Sequence, residues 1–315
     1  MSDLAVVIVN WNTRDLTLEA LRSLFLDLST PPPSSEVWVV DNASSDGSAE
    51  AIAQTFPQVN LIASTENLGF ARGNNAALLA MGFSNTPQNG PPPPDLPQAV
   101  YLLNSDTLTQ PGASGALYEA LMTLPGAGVV GARLFYGDGS FQHSAFRFPG
   151  LAQLWIDLLP HPARLYESAW NGRYPQATYE AGRPFPIDHP LGATMMLKRE
   201  AIWATGLFDE RFHMYCEEID WSWRIQRAGW RLYCVPAARV VHYGGQSTGQ
   251  VRARSVVNLW RARLQLFHKY YPPWKLSLAK GIIRAGMRRK LRGQTLDLNL
   301  ELAYQEVIRL TEENL

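Results

Sequence analysis

Asn10-Trp11-Asn12, the stretch from Asp41 to Gly47, Glu66-Asn67 and Asn104-Ser105-Asp106 each close an apolar run. Taken singly, each reads as a turn, since Asn, Ser, Asp and Gly are the ordinary turn formers. Four in succession read as a site. Within it Asp41 can accept a hydrogen bond from a nucleobase N–H, and Asp106 can bind a divalent metal through hard oxygen. A second cluster, Glu217, Glu218 and Asp220, puts three acids within four positions ahead of Arg224 and Arg227. Carboxylates at a helix start are favoured by the macrodipole, and one of them can also act as a general base beside a bound substrate. His242 ends a further apolar run, where a lone histidine is more often structural than a metal ligand.

The elements that must position these residues follow from the hydrophobic pattern. Leu4 to Val9 is a continuous apolar run of strand length, and Thr13 to Leu28 carries Leu18, Leu21, Phe25 and Leu28 at helical spacing. Strands at Val37–Val40, Val59–Ala63 and Val100–Leu103 alternate with helices at Ser48–Phe56 and Ala71–Met81. Strand, helix, strand at this spacing means βαβ units and a mostly parallel sheet flanked by helices. In such a sheet the strand ends share one edge, where open α/β folds bind ligands. Residues 85–98, with their run of prolines, read as an exposed loop. Beyond Val129 the strands are less regular, and Ser255 to Leu315 is helical by pattern, broken at Pro272-Pro273. The expected organisation is a catalytic domain over 1–250 and a helical extension over 251–315.

Bulk properties narrow the function. Lys+Arg and Asp+Glu both number 28 in 315 residues, which argues against nucleic acid as a partner. Two cysteines make neither a disulfide framework nor a zinc spacing, and fit a reduced, cytoplasmic setting. The first residues lack a signal-peptide pattern, and no apolar run is long enough to span a bilayer. No G-x-G-x-x-G follows Val9 and no P-loop occurs. What remains is a carboxylate-bearing sheet edge, suited to a nucleotide whose phosphates are held by a cation.

The ordered motifs VIVNWN (7–12), VDNASSDGS (40–48), NLGFARGN (67–74), LNSD (103–106), GA (192–193), FDE (208–210), YCEEID (215–220) and VH (241–242) carry a resemblance. The chain resembles the inverting glycosyltransferases of family 2, and within them the bacterial rhamnosyltransferase-like branch, from about Leu4 to Thr248. The resemblance implies a glycosyltransferase-A fold, a nucleoside-diphosphate sugar donor such as dTDP-rhamnose or a UDP-sugar, and Mg²⁺ or Mn²⁺. It implies that Asp41 reads the base and that Arg72 and Asn74 belong to the nucleotide pocket, with Asn10, Asn12, Asn67, Asn104 and Ser105 around the donor. Gly192 and Ala193 would line the sugar pocket, and Asp106 and His242 would hold the metal. Glu218 falls at the base position.

This chain departs from the family pattern twice. Asn104 occupies the first acid position of D-x-D, so the cation must lean on Asp106, His242 and the donor diphosphate. Glu218 stands where the family usually has Asp, which leaves Glu217 or Asp220 as alternatives for the base. The expected activity is transfer of a sugar to a hydroxyl of a cell-surface glycan or lipid-linked precursor. The competing readings are a non-catalytic nucleotide-sugar subunit and a sugar nucleotidyltransferase, the latter disfavoured by the lack of a Gly-rich basic first loop. The segment 281–292 sets Arg284, Arg288, Arg289, Lys290 and Arg292 against Ile282, Ile283, Met287 and Leu291. That pattern suits a basic amphipathic helix on the inner face of the cell membrane, or a solvated helix packed on the catalytic domain.

Overall fold

The computed structural model describes residues 2–29, 33–245, 252–293 and 297–313, with the side chain of Arg252 left out. The first half is the expected alternation: β1 (Leu4–Asn10), α1 (Arg14–Leu28), β2 (Ser35–Asp41), α2 (Ser48–Thr55), β3 (Asn60–Ala63), α3 (Gly69–Ala80) and β4 (Ala99–Asn104). A short β5 (Thr107–Thr109), α4 (Ala113–Thr123) and β6 (Ala127–Phe135) follow. The less regular middle holds β7 (Phe141–Gln142), β8 (Ala145–Phe146), α5 (Leu151–Leu158), α6 (Gln176–Glu180), β9 (Phe185–Ile187) and β10 (His189–Pro190). Then come β11 (Thr194–Lys198), α7 (Arg199–Thr205), α8 (Glu217–Arg227) and β12 (Arg231–His242). Three helices close the chain: α9 (Arg252–Tyr270), α10 (Pro273–Gly293) and α11 (Leu298–Leu310).

The sheet runs β3-β2-β1-β4-β11-β6-β12-β5. The first four strands are parallel, and β11 enters antiparallel between β4 and β6. Helices cover both faces, which is why the early strands read as unbroken apolar runs. Leu4, Val6 and Ile8 point to the layer that holds Leu21, Leu24, Leu117 and Leu121, while Val7, Val100 and Leu102 meet Leu78, Trp221 and Ile225 on the other side.

Register sets the site. Asn10 pairs with Asp41 and Val9 with Asn104, so three polar strand ends come to one edge. On the far side β12 pairs with β5, matching His242 with Thr107, and the Tyr243 N–H donates to the Asp106 carbonyl at 3.0 Å. A register shift between Val235 and Arg239 absorbs Pro236 and lets β12 run on to that position.

Residues 85–98 carry no helix or strand, as expected, yet Leu96 is buried and its carbonyl accepts from Arg199 at 3.0 Å. The closing helices build a core of their own with α5, in which Leu154 and Leu158 meet Leu264, Phe267, Ile283 and Met287. Of the two readings of 281–292, a helix packed on the rest of the chain is the one that its apolar face follows. Ile283 and Met287 are fully buried, and Ile282 and Leu291 pack against the same cluster, so that apolar face is already occupied. The boundary drawn at 250, and the end of the resemblance at Thr248, lie outside the described residues.

Candidate active site

A cleft of about 260 Å³ opens at the shared strand edge. Of the residues expected there, Asn10, Asn67, Asn104, Ser105, Asp106, Gly192, Ala193, Glu217, Glu218 and His242 line it. Four non-glycine residues among those described have positive φ: Asn12, Ala43, Tyr215 and Cys216. All four flank or line this cleft, and backbone strain held in place around a pocket is a mark of a functional site.

A polar network fixes the floor. Asn10 donates to Asp41 Oδ1 at 2.6 Å, and its own Oδ1 accepts from the Thr13 and Thr17 hydroxyls at 2.7 Å each. The Thr13 and Ser105 hydroxyls lie 3.1 Å apart, which links the end of β1 to the loop after β4. Asp41 Oδ2 accepts the Ser44 N–H at 3.0 Å, and Asn12 Oδ1 accepts the Ser45 N–H at 2.8 Å. Asp41 is therefore buried behind the cleft as a brace, and neither it nor Asn12 lines the cavity.

Two more expected residues lie elsewhere. Arg72 is half exposed and paired with Glu66 at 3.1 Å, and Asn74 is buried and donates to the Phe70 carbonyl at 2.9 Å. Only the start of α3, Gly69 and Phe70, reaches the cleft. The next residue along, Asn75, exchanges two hydrogen bonds with the Phe208 backbone and so holds the approach to α8.

The acids of α8 divide between the protein interior and the cleft. Asp220 is fully buried and accepts from Arg224 Nε at 2.9 Å, Lys269 Nζ at 2.6 Å and the Tyr270 hydroxyl at 2.8 Å. It anchors the helix and is removed as a base candidate. Glu217 and Glu218 instead both face the cleft, because the helix points its first turn there. Burial pushes the pKa of both upward. For Glu217 the neighbouring Glu218 charge adds to it, whereas Glu218 is pushed up to about 7, with backbone N–H groups and Arg263 opposing. Glu217 Oε2 is buried with no hydrogen-bond partner. Gly192 lies where a Cβ would stand 3.6 Å from Glu218 Cγ, so a small residue there gives the carboxylate room.

Opposite these acids, His242 Nδ1 donates to Gln142 Oε1 at 3.1 Å, which leaves a lone pair on Nε2. That nitrogen faces Asp106 Oδ1 at 3.4 Å and Asn104 Nδ2 at 3.4 Å. Two acceptors so placed call for a proton or a cation between them. An oxygen and an imidazole nitrogen, the latter oriented by a second hydrogen bond, suit Mn²⁺ or Mg²⁺. Among the described residues no three His, Cys, Asp or Glu side chains gather as a ready-made metal site.

Comparison with known proteins decides the family. The family model for glycosyl transferase family 2 matches residues 5–206. The chain belongs to that family. This glycosyltransferase is 31% identical over 284 residues to the N-acetylglucosaminyl-diphospho-decaprenol L-rhamnosyltransferase of Mycobacterium tuberculosis (strain CDC 1551 / Oshkosh), covering 90% of this chain and 88% of that one. Its fold is similar to the mannosyltransferase PcManGT from Pyrobaculum calidifontis, solved with GDP-Man and Mn²⁺, with a TM-score of 0.54, 17% identity, and coverage of 99% and 87%. It is also similar to GalNAc-T7, solved with UDP, GalNAc and Mn²⁺, with a TM-score of 0.59, 14% identity, and coverage of 100% and 56%. The glycosyltransferase-A fold expected from the motifs is thus the fold observed.

In this glycosyltransferase the two departures from the motif pattern acquire a geometry. Asn104 has become a neutral neighbour of His242, and Glu218 enters beside a glycine. No motif marks Gln142, or Met214 on the cleft wall, whereas Trp11, Asn42, Phe70 and Tyr215 of that wall fall inside the motifs without a role of their own.

Proposed function

We propose that this glycosyltransferase moves a sugar, rhamnose above all, from a nucleoside-diphosphate donor to a hydroxyl of a lipid-linked acceptor, with inversion. The observation that carries the reading is the pairing across one cleft of Glu218 with the Asp106–His242 pair. The acceptor oxygen forms a bond to the anomeric carbon as its proton passes to the Glu218 carboxylate. The bond from that carbon to the diphosphate oxygen breaks, and its electron pair leaves with the diphosphate. Base and leaving group on opposite sides of the carbon give inversion.

Asp106 and His242 would hold the divalent cation, with Gln142 fixing the imidazole. When bound, that ion offsets the charge growing on the departing diphosphate. Asp41 acts on the nucleobase through the loop it braces, not by reaching into the cleft itself. Similarity to an N-acetylglucosaminyl-diphospho-decaprenol L-rhamnosyltransferase supports the donor and acceptor classes named here.

Peripheral membrane contact belongs to the same reading, on a different face of α10 from the one the sequence suggested. Trp274, Leu278, Gly281, Ala285, Arg288 and Arg292 fall within about 40° of one line along the helix, opposite Ile283. Trp274 and Leu278 are 63% and 53% exposed, so the stripe is apolar at one end and basic at the other. Among the described residues no helix is long and apolar enough to cross a membrane.

Glu218→Gln tests the chemistry. It keeps shape and hydrogen bonding but takes no proton, so turnover should fall by about 10² to 10⁴. The rise in melting temperature produced by dTDP or UDP with Mn²⁺ should stay as in the wild type. Near-normal turnover in this variant would remove Glu218 from the mechanism.

A further inference from the structure

Residues 209–220 supply one wall of the cleft, through Met214, Tyr215, Glu217 and Glu218. Just before the two acids, Tyr215 and Cys216 hold φ values of 72° and 66°. A turn so strained persists only where its surroundings over-determine it. Its supports come from α3 and α9. The His213 carbonyl accepts from the Phe70 N–H at 3.1 Å, at the start of α3. Phe212 and Cys216 are buried against Ala262 and Leu266 of α9. The remaining support is a single ammonium.

Lys269 Nζ, in the last turn of α9, lies 2.6 Å from Asp220 Oδ1 and 2.9 Å from Asp209 Oδ2. The two carboxylates stand at opposite ends of the segment, so one cation closes it as a clasp. Charge-assisted contacts of this length are at the strong end of hydrogen bonding. Each acid has another cation: Asp209 meets Arg211 at 2.6 Å, and Asp220 meets Arg224 at 2.9 Å. Each of those arginines follows its own acid closely in the chain, and neither pairs with the other acid. Among the described residues Lys269 alone pairs with both. Its neighbour Tyr270 donates to the same Asp220 oxygen at 2.8 Å and lays its ring flat on Trp223, with 4.2 Å between centroids.

We infer that Lys269 is a positioning residue for the transfer reaction: by clasping Asp209 to Asp220 it holds the strained turn that aims Glu218 into the cleft. The inference rests on the glycosyl-transfer reading above and deepens it. Lys269 is not among the residues that line the cleft, so its effect on the chemistry passes through Glu218. It gives α9, which lies beyond the span that the family model matches, a part in catalysis.

Dependence on Glu218 tests it. Lys269→Met keeps an unbranched chain and removes the charge. In the wild-type background kcat, measured well below the melting temperature of the variant, should fall by about ten- to a hundredfold, the usual cost of a small misplacement of a reacting group. The donor KM and the melting shift produced by dTDP with Mn²⁺ should be kept. In the Glu218→Gln background the same substitution should cost less than about threefold, because no base is left to aim. Equal losses in the two backgrounds, or no loss in the first, overturn the inference.

A second variant guards against unfolding by unpaired charge. Asp209→Asn combined with Lys269→Met removes one charge of each sign, so the melting temperature should stay near that of the wild type. Its kcat should remain as low as that of Lys269→Met, since the clasp is still open. Recovery to the wild-type value overturns the inference. Near-normal turnover in Glu218→Gln alone, or a wild-type chain with neither turnover nor a nucleotide-induced shift, overturns the transferase reading and the inference with it.

Discussion

Two consecutive carboxyl groups, Glu217 and Glu218, face the same cleft, and burial raises the pKa of both. Their protons come off as a pair, and Arg263 of α9 favours charge on Glu218 first. His189, whose pKa is lowered to about 4 by burial, adds no positive charge from β10 at neutral pH. Glu217, 5% exposed and beside that charge, keeps its proton. A base acts only when deprotonated, so kcat/KM should fall as pH drops below about 7, roughly tenfold per unit. A profile flat from pH 5 to 9 would contradict this. Stability should run the other way. With a folded pKa of about 7 against an ordinary 4.5, the folded chain holds the extra proton, so this group's contribution is lost as pH rises through that window. At pH 8 Glu218→Gln should therefore melt above the wild type while turning over far more slowly.

Among the elements, α10 shows how one residue type takes opposite meanings along one helix. A Cβ at Gly286 would stand 2.6 Å from Leu158 Cβ, so only glycine lets α10 close onto α5. Gly281 has nothing within 4 Å. Gly281→Ala should stabilise by about 0.5–1 kcal/mol through helix propensity. Gly286→Ala should instead destabilise by about 1–3 kcal/mol through overpacking. Thermal melts of the two variants give the signs, and equal signs would refute the packing argument. The same helix marks where pattern reading stops. Its amphipathic period was legible, but a period names a buried face without naming what buries it. The ends of β1, β2 and β4 were legible because parallel strands covered on both sides must change abruptly from apolar to polar at the open edge. Arg72 and Asn74 lie off the cleft wall because a motif fixes position along α3, whereas only its first turn reaches the cleft. Gln142 left no trace, since a two-residue strand carries no periodicity.

At the scale of the whole molecule, the exposed stripe of α10 belongs to the C-terminal helices, which pack on α5. The chain should float with vesicles containing phosphatidylglycerol and not with pure phosphatidylcholine. Trp274→Ala with Arg288→Glu should abolish flotation and leave the melting temperature unchanged, whereas equal binding of that double variant would assign the contact to another surface. Asp220 bears on the same half of the protein. Its carboxylate is fully buried in α8 and relies on Lys269 and Tyr270 of α9 for two of its three partners. A gene fragment ending where the family model's match ends, at residue 206, would lack the base altogether. One ending just after β12 would keep Glu218 but leave the Asp220 carboxylate beneath it with Arg224 alone of its three partners. The stretch that the family model matches and the stretch that inheritance must keep together are therefore of different lengths, and recombination between relatives should respect the longer one.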